Sequence, residues 1–514
     1  MSSSRKIPQY GKLDLEECVK NFRILVLNNI NDINRLKSDL ITSGKLSHCD
    51  KTYIRAFSWK IFLNILSTNE KSSLKTWIDE TISQRKNIKK MIRNNTINKL
   101  KGDPLGGISG SSEKEKNSDW NEFIVQSEIV KMIKYDVDRT MPNEKLFQEP
   151  FIRDMETTIL TNFAKNHKKI SYRQGMNEIL SLIIYAMFPY YVKSPNSKYT
   201  PELINKWVEN PVENVKDIYC FFHDENEFES DIFTIFDYIM VKLGIAKFFE
   251  DEPKDNKTSA YFIRRIKNII TKKLSVQDRA LYSHFMNQNL DYAMVFQRWF
   301  KCLFKREFPL PDTCLIWDYL FAHEAEKPSG MLLYLDYVVL AMIINVKISL
   351  LSKDSNGMFQ LILNYPKISQ ITNLLKQADQ IENDLAMSTV EQNKTTDNSK
   401  KEKEEENKIE ETSNSQNQTT EINNNINNTN IPNPLGQINP LLMNPNMTGN
   451  PMGNLMLAMM MQQTAKLGQL NNNAKNDFNN EIKELKDLVN KYKDKISLED
   501  KNRMDFLIDL IAKK

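Results

Sequence analysis

Helical periodicity over most of the chain, a scarcity of Gly and Pro, and the absence of strand–helix alternation predict an all-α protein. Only 14 Gly and 18 Pro occur among 514 residues, and hydrophobic residues make up 40%, enough for a core. From the N-terminus to about residue 380 apolar residues recur at helical spacing with short polar breaks. A loop from Gly102 to Ser118, with Gly106-Gly107-Ile108-Ser109-Gly110-Ser111-Ser112 at its centre, separates the first helices from a second block starting near Trp120. Over 381–475 the composition collapses to Asn, Gln, Lys, Glu and Thr, as in Asn423-Asn424-Asn425-Ile426-Asn427-Asn428. Such a segment cannot bury enough apolar area to offset its conformational entropy, so a disordered linker is expected there. Over 476–514 Ile482, Leu485, Val489 and Tyr492 share one face and Phe506, Leu507, Leu510 and Ile511 another, which predicts a short C-terminal helical pair. Ser497 opens a Ser-x-x-Asp stretch that is expected to cap the second of these helices.

Charge and cysteine usage narrow the function. With 70 basic and 66 acidic residues the net charge is +4, without the basic excess of a duplex binder, so no nucleic-acid partner is expected. The five cysteines (Cys18, Cys49, Cys220, Cys302 and Cys314) lack zinc or redox spacing and read as reduced thiols of a cytoplasmic protein. The polar start, Met1-Ser2-Ser3-Ser4-Arg5-Lys6, does not read as a signal peptide. The most apolar stretch, Met331 to Leu351, is broken by Asp336, Asn345 and Lys347, and reads as a buried helix. The Gly-rich loop matches neither a phosphate-binding loop, which needs a following Gly-Lys-Ser/Thr, nor a Gly-x-Ser-x-Gly elbow, because position 111 is Ser. His48, His167, His223, His284 and His323 form no His-Glu-x-x-His pair. Any catalysis by this chain therefore has to use groups that need no cofactor or metal of its own. The basic run between Gln84 and Gly102 (Arg85, Lys86, Lys89, Lys90, Arg93, Lys99, Lys101) is expected to be a solvated helix face.

Two segments stand out. In the first, Ile129, Val130, Ile133 and Val137 form an apolar stripe at helical period that runs up to Asp138-Arg139-Thr140-Met141-Pro142. Pro142 disfavours helical geometry at Met141, so the helix ends there, with Arg139 in or just past the last turn and Asp136 three positions earlier on the same face. The second, Ser171-Tyr172-Arg173-Gln174-Gly175-Met176-Asn177, precedes the run Ile179 to Met187, which is hydrophobic nearly all round and predicts a central buried helix. Gln174 lies at its entry, with Gly175 allowing close backbone approach. On chemistry alone, Asp136 with Arg139 reads as an everyday surface ion pair, Gln174 as a capping or solvated residue, and Tyr172 and Met176 as core packers.

The pattern Ile133, Asp136, Arg139 followed by Tyr172, Gln174, Gly175, Met176 resembles the paired finger motifs of the TBC (Rab-GAP) domain family. Further stretches agree in order: Arg55-Ala56-Phe57-Ser58-Trp59-Lys60, Glu229-Ser230-Asp231-Ile232-Phe233, Phe296-Gln297-Arg298-Trp299, Arg306-Glu307-Phe308 and Leu315-Ile316-Trp317-Asp318. Asp103-Pro104-Leu105 and Leu363-Asn364-Tyr365-Pro366 look most like the branch linked to retromer and late-endosomal Rabs. The resemblance implies a multi-helix TBC-type domain over 38–380 after an N-terminal helical lead-in at 1–37.

It also implies a function: stimulating GTP hydrolysis by a Rab-type GTPase in the GTP state, with Arg139 as arginine finger and Gln174 orienting the attacking water. GTP and Mg²⁺ are then carried by the partner, and this chain acts in trans without a nucleotide site of its own. Asp136, Tyr172 and Gly175 are expected to support the two fingers. Arg55 and Trp59 are expected to support them from the core, Arg55 through a buried ion pair. Retromer or another endosomal coat is a candidate further partner, and the expected setting is the cytoplasm and the surface of endosomal membranes. The alternative is a non-catalytic adaptor that binds a Rab or a coat complex through the same domain and tail.

Overall fold

The structure is a computed structural model that describes residues 11–45, 53–101, 113–196, 198–250 and 260–388. The chain runs through α1 (Leu15–Leu25), α2 (Ile33–Lys45), α3 (Arg55–Phe62), α4 (Leu74–Lys101), α5 (Glu113–Asp138), α6 (Pro150–Asn166) and α7 (Met176–Met187). There follow α8 (Pro201–Glu209), α9 (Val215–Phe222), α10 (Phe228–Asp237), α11 (Tyr261–Asn268), the single turn α12 (Ser275–Gln277) and α13 (Arg279–Gln288). The last are α14 (Tyr292–Lys301), α15 (Leu310–Glu326), α16 (Gly330–Asn345), α17 (Lys347–Leu351) and α18 (Ser355–Leu363), then α19 over 371–388. Among the described residues there is no strand, only an isolated bridge between Val192 and Asp224, as the all-α expectation requires. Side-chain oxygens start several of these helices: Asp14, Thr200, Asp278 and Asp354 accept from the N–H three residues on.

One continuous core extends from Cys18 to Ile381. Within it α15 packs on α16, α2 and α3, and α7 packs on α10, α6 and α3. The ring of Trp59 stacks on Trp317 at 5.9 Å and meets the edge of Phe321 at 4.9 Å. Every residue of α7 except Tyr185 is buried, which is why its sequence carries almost no polar face. The same holds for most of α16, the predicted buried helix. No helix among the described residues is long and apolar enough to cross a membrane.

Four sequence expectations need correction. The lead-in at 1–37 is not separate from the domain: its boundary falls inside α2, and Phe22 packs edge-on against Phe57 at 5.0 Å and Tyr219 at 5.7 Å. The loop expected to reach Ser118 gives way to helix at Glu113, and the domain continues past 380 because α19 runs to 388 and buries Ile381. The basic run is not wholly a solvated face. Arg85 is buried, bonded to Asp231 at 2.7 and 2.8 Å and to the Phe221 carbonyl, and Lys89 pairs with Glu227. Positions 102–112, the chain beyond 388 with its predicted linker, and the helical pair at 476–514 lie outside the described residues, as does Cys49.

Buried ion pairs tie together α3, α4 and α10, of which α3 and α10 pack on α7. Asp231 on α10 also accepts from Lys60 of α3 at 2.9 Å and from the Tyr191 hydroxyl at 2.8 Å. Burial opposes its ionisation, but Arg85 and Lys60 hold its carboxyl far below the usual carboxylate range.

Candidate functional site at two helix ends

The end of α5 follows from its sequence. Ile133 and Val137 are buried and anchor the last turns on the core. Beyond Asp138 the hydrogen bonds shorten to three-residue steps, Arg139 N–H to Asp136 O and Thr140 N–H to Val137 O, and Met141 turns away with φ +43° ahead of Pro142. Arg139 thus lies just past the helix, with 69% of its side chain exposed. Its Nε donates to the Tyr135 carbonyl at 3.0 Å and its Nη2 to Asp136 Oδ1 at 2.9 Å.

Asp136 itself is buried, and its Oδ2 accepts from the Tyr172 hydroxyl at 2.6 Å. Burial, and then the hydrogen bond to Asp136, push the Tyr172 phenol far above its ordinary value, so it is a permanent donor. A second stitch runs alongside: Asn177 Nδ2 donates to Thr140 Oγ1 at 2.9 Å, and Thr140 Oγ1 donates to the Asp136 carbonyl at 2.8 Å. The last turn of α5 and the first turn of α7 are therefore tied together by Asp136, Tyr172, Thr140 and Asn177.

The segment entering α7 is shaped by two left-handed residues, Ser171 at φ +57° and Gly175 at φ +98°. Gly175 is the N-cap of α7, and its backbone angle is one that a side chain would strain. Gln174, just before it, is exposed to solvent. One turn into α7, Glu178 accepts from Lys305 at 2.6 Å and from Arg306 Nε at 3.0 Å. Burial works against this carboxylate, yet Lys305 and Arg306 keep its pKa below the ordinary value. On the neighbouring α6, Glu156 is fully buried, and neither of its oxygens has a hydrogen-bond partner among the described residues. Burial drives its pKa up to about 8, against the pull of Lys305.

Of the residues singled out in the sequence, Arg139, Asp136, Tyr172, Gln174 and Gly175 come together at this junction. Arg55 and Trp59 do not join it. They converge on Asp318 of α15, where Arg55 Nη2 lies 2.9 Å from Oδ2 and Trp59 Nε1 donates to Oδ1 at 2.7 Å. Sequence reasoning missed Thr140, Asn177, Glu178, Lys305 and Glu156. The signal for two of them was available: Asn177 and Glu178 are polar positions on a helix buried all round, where each needs a partner.

Among the described residues no cluster of three or more His, Cys, Asp or Glu side chains is placed to hold a metal. Two surface hollows, about 550 Å³ beside Leu15 and Val19 and about 490 Å³ beside Phe285 and Tyr292, contain none of the junction residues. Chemically, the junction offers a fixed-charge guanidinium and an amide, both exposed, on backbone held by buried hydrogen bonds. That arrangement suits insertion into a pocket on another molecule.

Residues 106–351 match the family model described as the Rab-GTPase-TBC domain. TBC1 domain family member 5 of Homo sapiens is 28% identical over 337 residues, covering 63% of this chain and 40% of that protein. TBC1 domain family member 5 homolog A of Dictyostelium discoideum is 22% identical over 471 residues, covering 74% of this chain and 39% of that protein. The chain thus spans about two fifths of the length of these curated relatives. A solved structure, the Ypt/Rab-GAP domain of Gyp1p, is 17% identical with a TM-score of 0.46, covering 71% of this chain and 98% of that one. The family match starts after Arg55 and Trp59, although Trp59 belongs to the same core as the matched residues and Arg55 is ion-paired with Asp318 among them.

Proposed function

Residues 106–351 of this chain belong to the Rab-GTPase-TBC domain family, and from that premise we propose that the protein stimulates GTP hydrolysis by a Rab-type small GTPase in membrane traffic. Arg139 and Gln174 are the groups it supplies in trans. The observation that carries this reading is the exposed Arg139 guanidinium, held on a buried carboxylate that is itself bonded to the segment bearing Gln174.

Hydrolysis builds charge on the oxygens between the β- and γ-phosphates and needs a positioned water. A guanidinium keeps its charge and grips phosphate oxygens with a planar fork, and such an inserted arginine is worth about 10³ to 10⁵ in rate, or ~4 to 7 kcal/mol. The Gln174 amide, with one donor and one acceptor end, orients the attacking water in place of the GTPase's own glutamine. GTP and Mg²⁺ remain the partner's. Asp136, bonded through Tyr172, acts as a positioning group for Arg139.

The proposed setting is the cytoplasmic surface of endosomal or other endomembranes, with retromer or another endosomal coat as a candidate further partner. The relatives named TBC1 domain family member 5 support the TBC-type reading of the domain. Exposed Lys86, Lys90 and Arg93 on α4 offer charge to anionic lipid, worth about 1 kcal/mol each near the surface.

Purified protein mixed with GTP-loaded Rab-type GTPases tests the reading. Arg139→Ala loses about 10³ or more of the stimulated rate while stability in urea falls by no more than about 1 kcal/mol, because the side chain is mostly exposed. Full stimulation by Arg139→Ala refutes it. A stable complex with the GTP state but no acceleration of any GTPase assigns the chain to the adaptor reading instead.

A further inference from the structure

Beside the junction, α5 carries large apolar side chains that face solvent: Val125 is 53% exposed, Met132 44% and Tyr135 69%. At about 100° per residue these three positions and Arg139 share roughly 80° of the helix circumference. The opposite side of α5, through Ile133 and Val137, is the one packed on the core. The exposed edge is therefore not a by-product of core packing. It is interrupted by Glu128 and flanked by Lys131 and Lys134, all exposed, which gives an apolar strip a charged rim. Tyr, Met and Arg are the residue types enriched at the centres of protein–protein interfaces, while scattered single hydrophobics elsewhere need no such account.

We propose that this edge of α5, centred on Tyr135 and Met132, docks on the GTP-state surface of the small GTPase and selects which GTPase is accepted. The inference rests on the functional reading above and adds to it the surface that governs recognition.

One contact in the structure, together with a general property of small GTPases, points to the occupant. Arg139 folds back along the helix, its Nε bonded to the Tyr135 carbonyl, so a molecule that takes this guanidinium into a phosphate pocket meets the turn of Tyr135 at the pocket rim. One helical turn is about 5.4 Å, shorter than an extended arginine side chain, so the two contacts are made together. In a small GTPase the rim beside the γ-phosphate is formed by switch segments that are ordered by that phosphate and released on hydrolysis. A strip of Tyr and Met next to the finger then contacts segments whose arrangement differs between the GTP and GDP states. Met132, unbranched and adaptable, fits such a segment without demanding one shape. After hydrolysis the contact loosens, which favours product release.

The 514-residue chain tests this with Tyr135→Ala, Met132→Ala and the double variant against a panel of purified Rab-type GTPases. Each GTPase is loaded with GTP for kinetics, and with a non-hydrolysable GTP analogue or GDP for equilibrium binding. Tyr135→Ala is expected to raise KM about tenfold or more, the size of effect seen when an aromatic anchor is lost, with kcat unchanged. Tyr135→Phe restores most of the affinity. The loss appears in binding to the analogue-loaded GTPase, and its size varies between GTPases. Ile348→Ala, an 86% exposed apolar residue on α17, serves as the control and leaves KM unchanged.

An unchanged KM in the double variant, alongside a collapsed kcat in Arg139→Ala, overturns the docking edge and leaves the catalytic reading standing. A wild-type chain that neither binds nor stimulates any GTPase of the panel overturns both.

Discussion

Replacing Asp136 by Asn keeps the shape of the side chain and removes its charge, and the structure sets the size of the result. Asp136 serves two donors, Arg139 Nη2 at 2.9 Å and the Tyr172 hydroxyl at 2.6 Å. The first bond joins a buried carboxylate to a mostly exposed guanidinium, and water around the guanidinium screens it to about 0.2 to 1 kcal/mol. The second is a charge-assisted bond to a buried hydroxyl, worth about 1.5 to 3 kcal/mol against roughly 1 for its neutral counterpart. An asparagine that keeps its oxygen on Tyr172 turns its NH₂ toward the Arg139 fork, donor against donor. The guanidinium is then held only by the Tyr135 carbonyl.

The expected outcome for Asp136→Asn is a loss of about 1 to 2 kcal/mol in urea unfolding and a fall in stimulated kcat of about two- to fivefold, from the lost pair alone. That is far below the loss for Arg139→Ala. Single-turnover phosphate release with excess protein reads kcat, and fluorescence in urea reads stability. Tyr172→Phe gives the complementary case: it leaves Oδ2 buried without its donor, costs about 1 to 3 kcal/mol in stability, and leaves the Arg139 bond in place. A thousandfold loss in folded Asp136→Asn refutes the positioning argument, because no ion pair this exposed holds that much energy. A gain in activity refutes it from the other side, by making Asp136 a restraint on the finger.

Glu156 provides a pH signature. Its pKa of about 8 in the folded chain lies above the ordinary 4.5 of the unfolded one, so the folded state keeps a proton that the unfolded state releases. Stability from this group is complete below the lower value and is lost as pH rises through the upper. Glu156→Gln is expected to flatten the fall in urea stability between about pH 5 and 8 and to gain on the order of 3 kcal/mol at pH 7; equal slopes for variant and wild type contradict this. Asp318→Asn leaves the buried Arg55 guanidinium without its countercharge and is expected to cost about 3 to 5 kcal/mol in stability. Stimulated kcat, measured on the fraction that remains folded, is unchanged, and a selective loss of kcat at unchanged stability contradicts the supporting role.

The junction was legible where local rules decide it. The Ile133–Val137 stripe and Pro142 place the end of α5, and the run Ile179 to Met187, hydrophobic nearly all round, places α7, because periodicity and proline geometry act over a few residues. The stitching between the two helices was not legible. Nothing in the spacing of Asp136, Thr140, Tyr172 and Asn177 says that they meet, since their bonds join positions 36 to 41 apart across a tertiary contact. The same limit explains Arg85: in a run of seven basic residues one turn of α4 faces the core, and only the position of Asp231 on α10 decides which. The lead-in at 1–37 failed for a related reason. Short amphipathic helices such as α1 carry no mark of the surface they cover, and Phe22 finds Phe57 and Tyr219 only in the fold.

The central claim is that Arg139 and Gln174 together complete another protein's hydrolytic site. A GTPase whose own water-orienting glutamine has been replaced by leucine isolates the contribution of Gln174. In single-turnover phosphate release with that GTPase, the wild-type chain is predicted to accelerate hydrolysis, and Gln174→Ala to leave it at the intrinsic rate with folding unchanged. No acceleration by the wild-type chain, or equal acceleration by Gln174→Ala, contradicts the account.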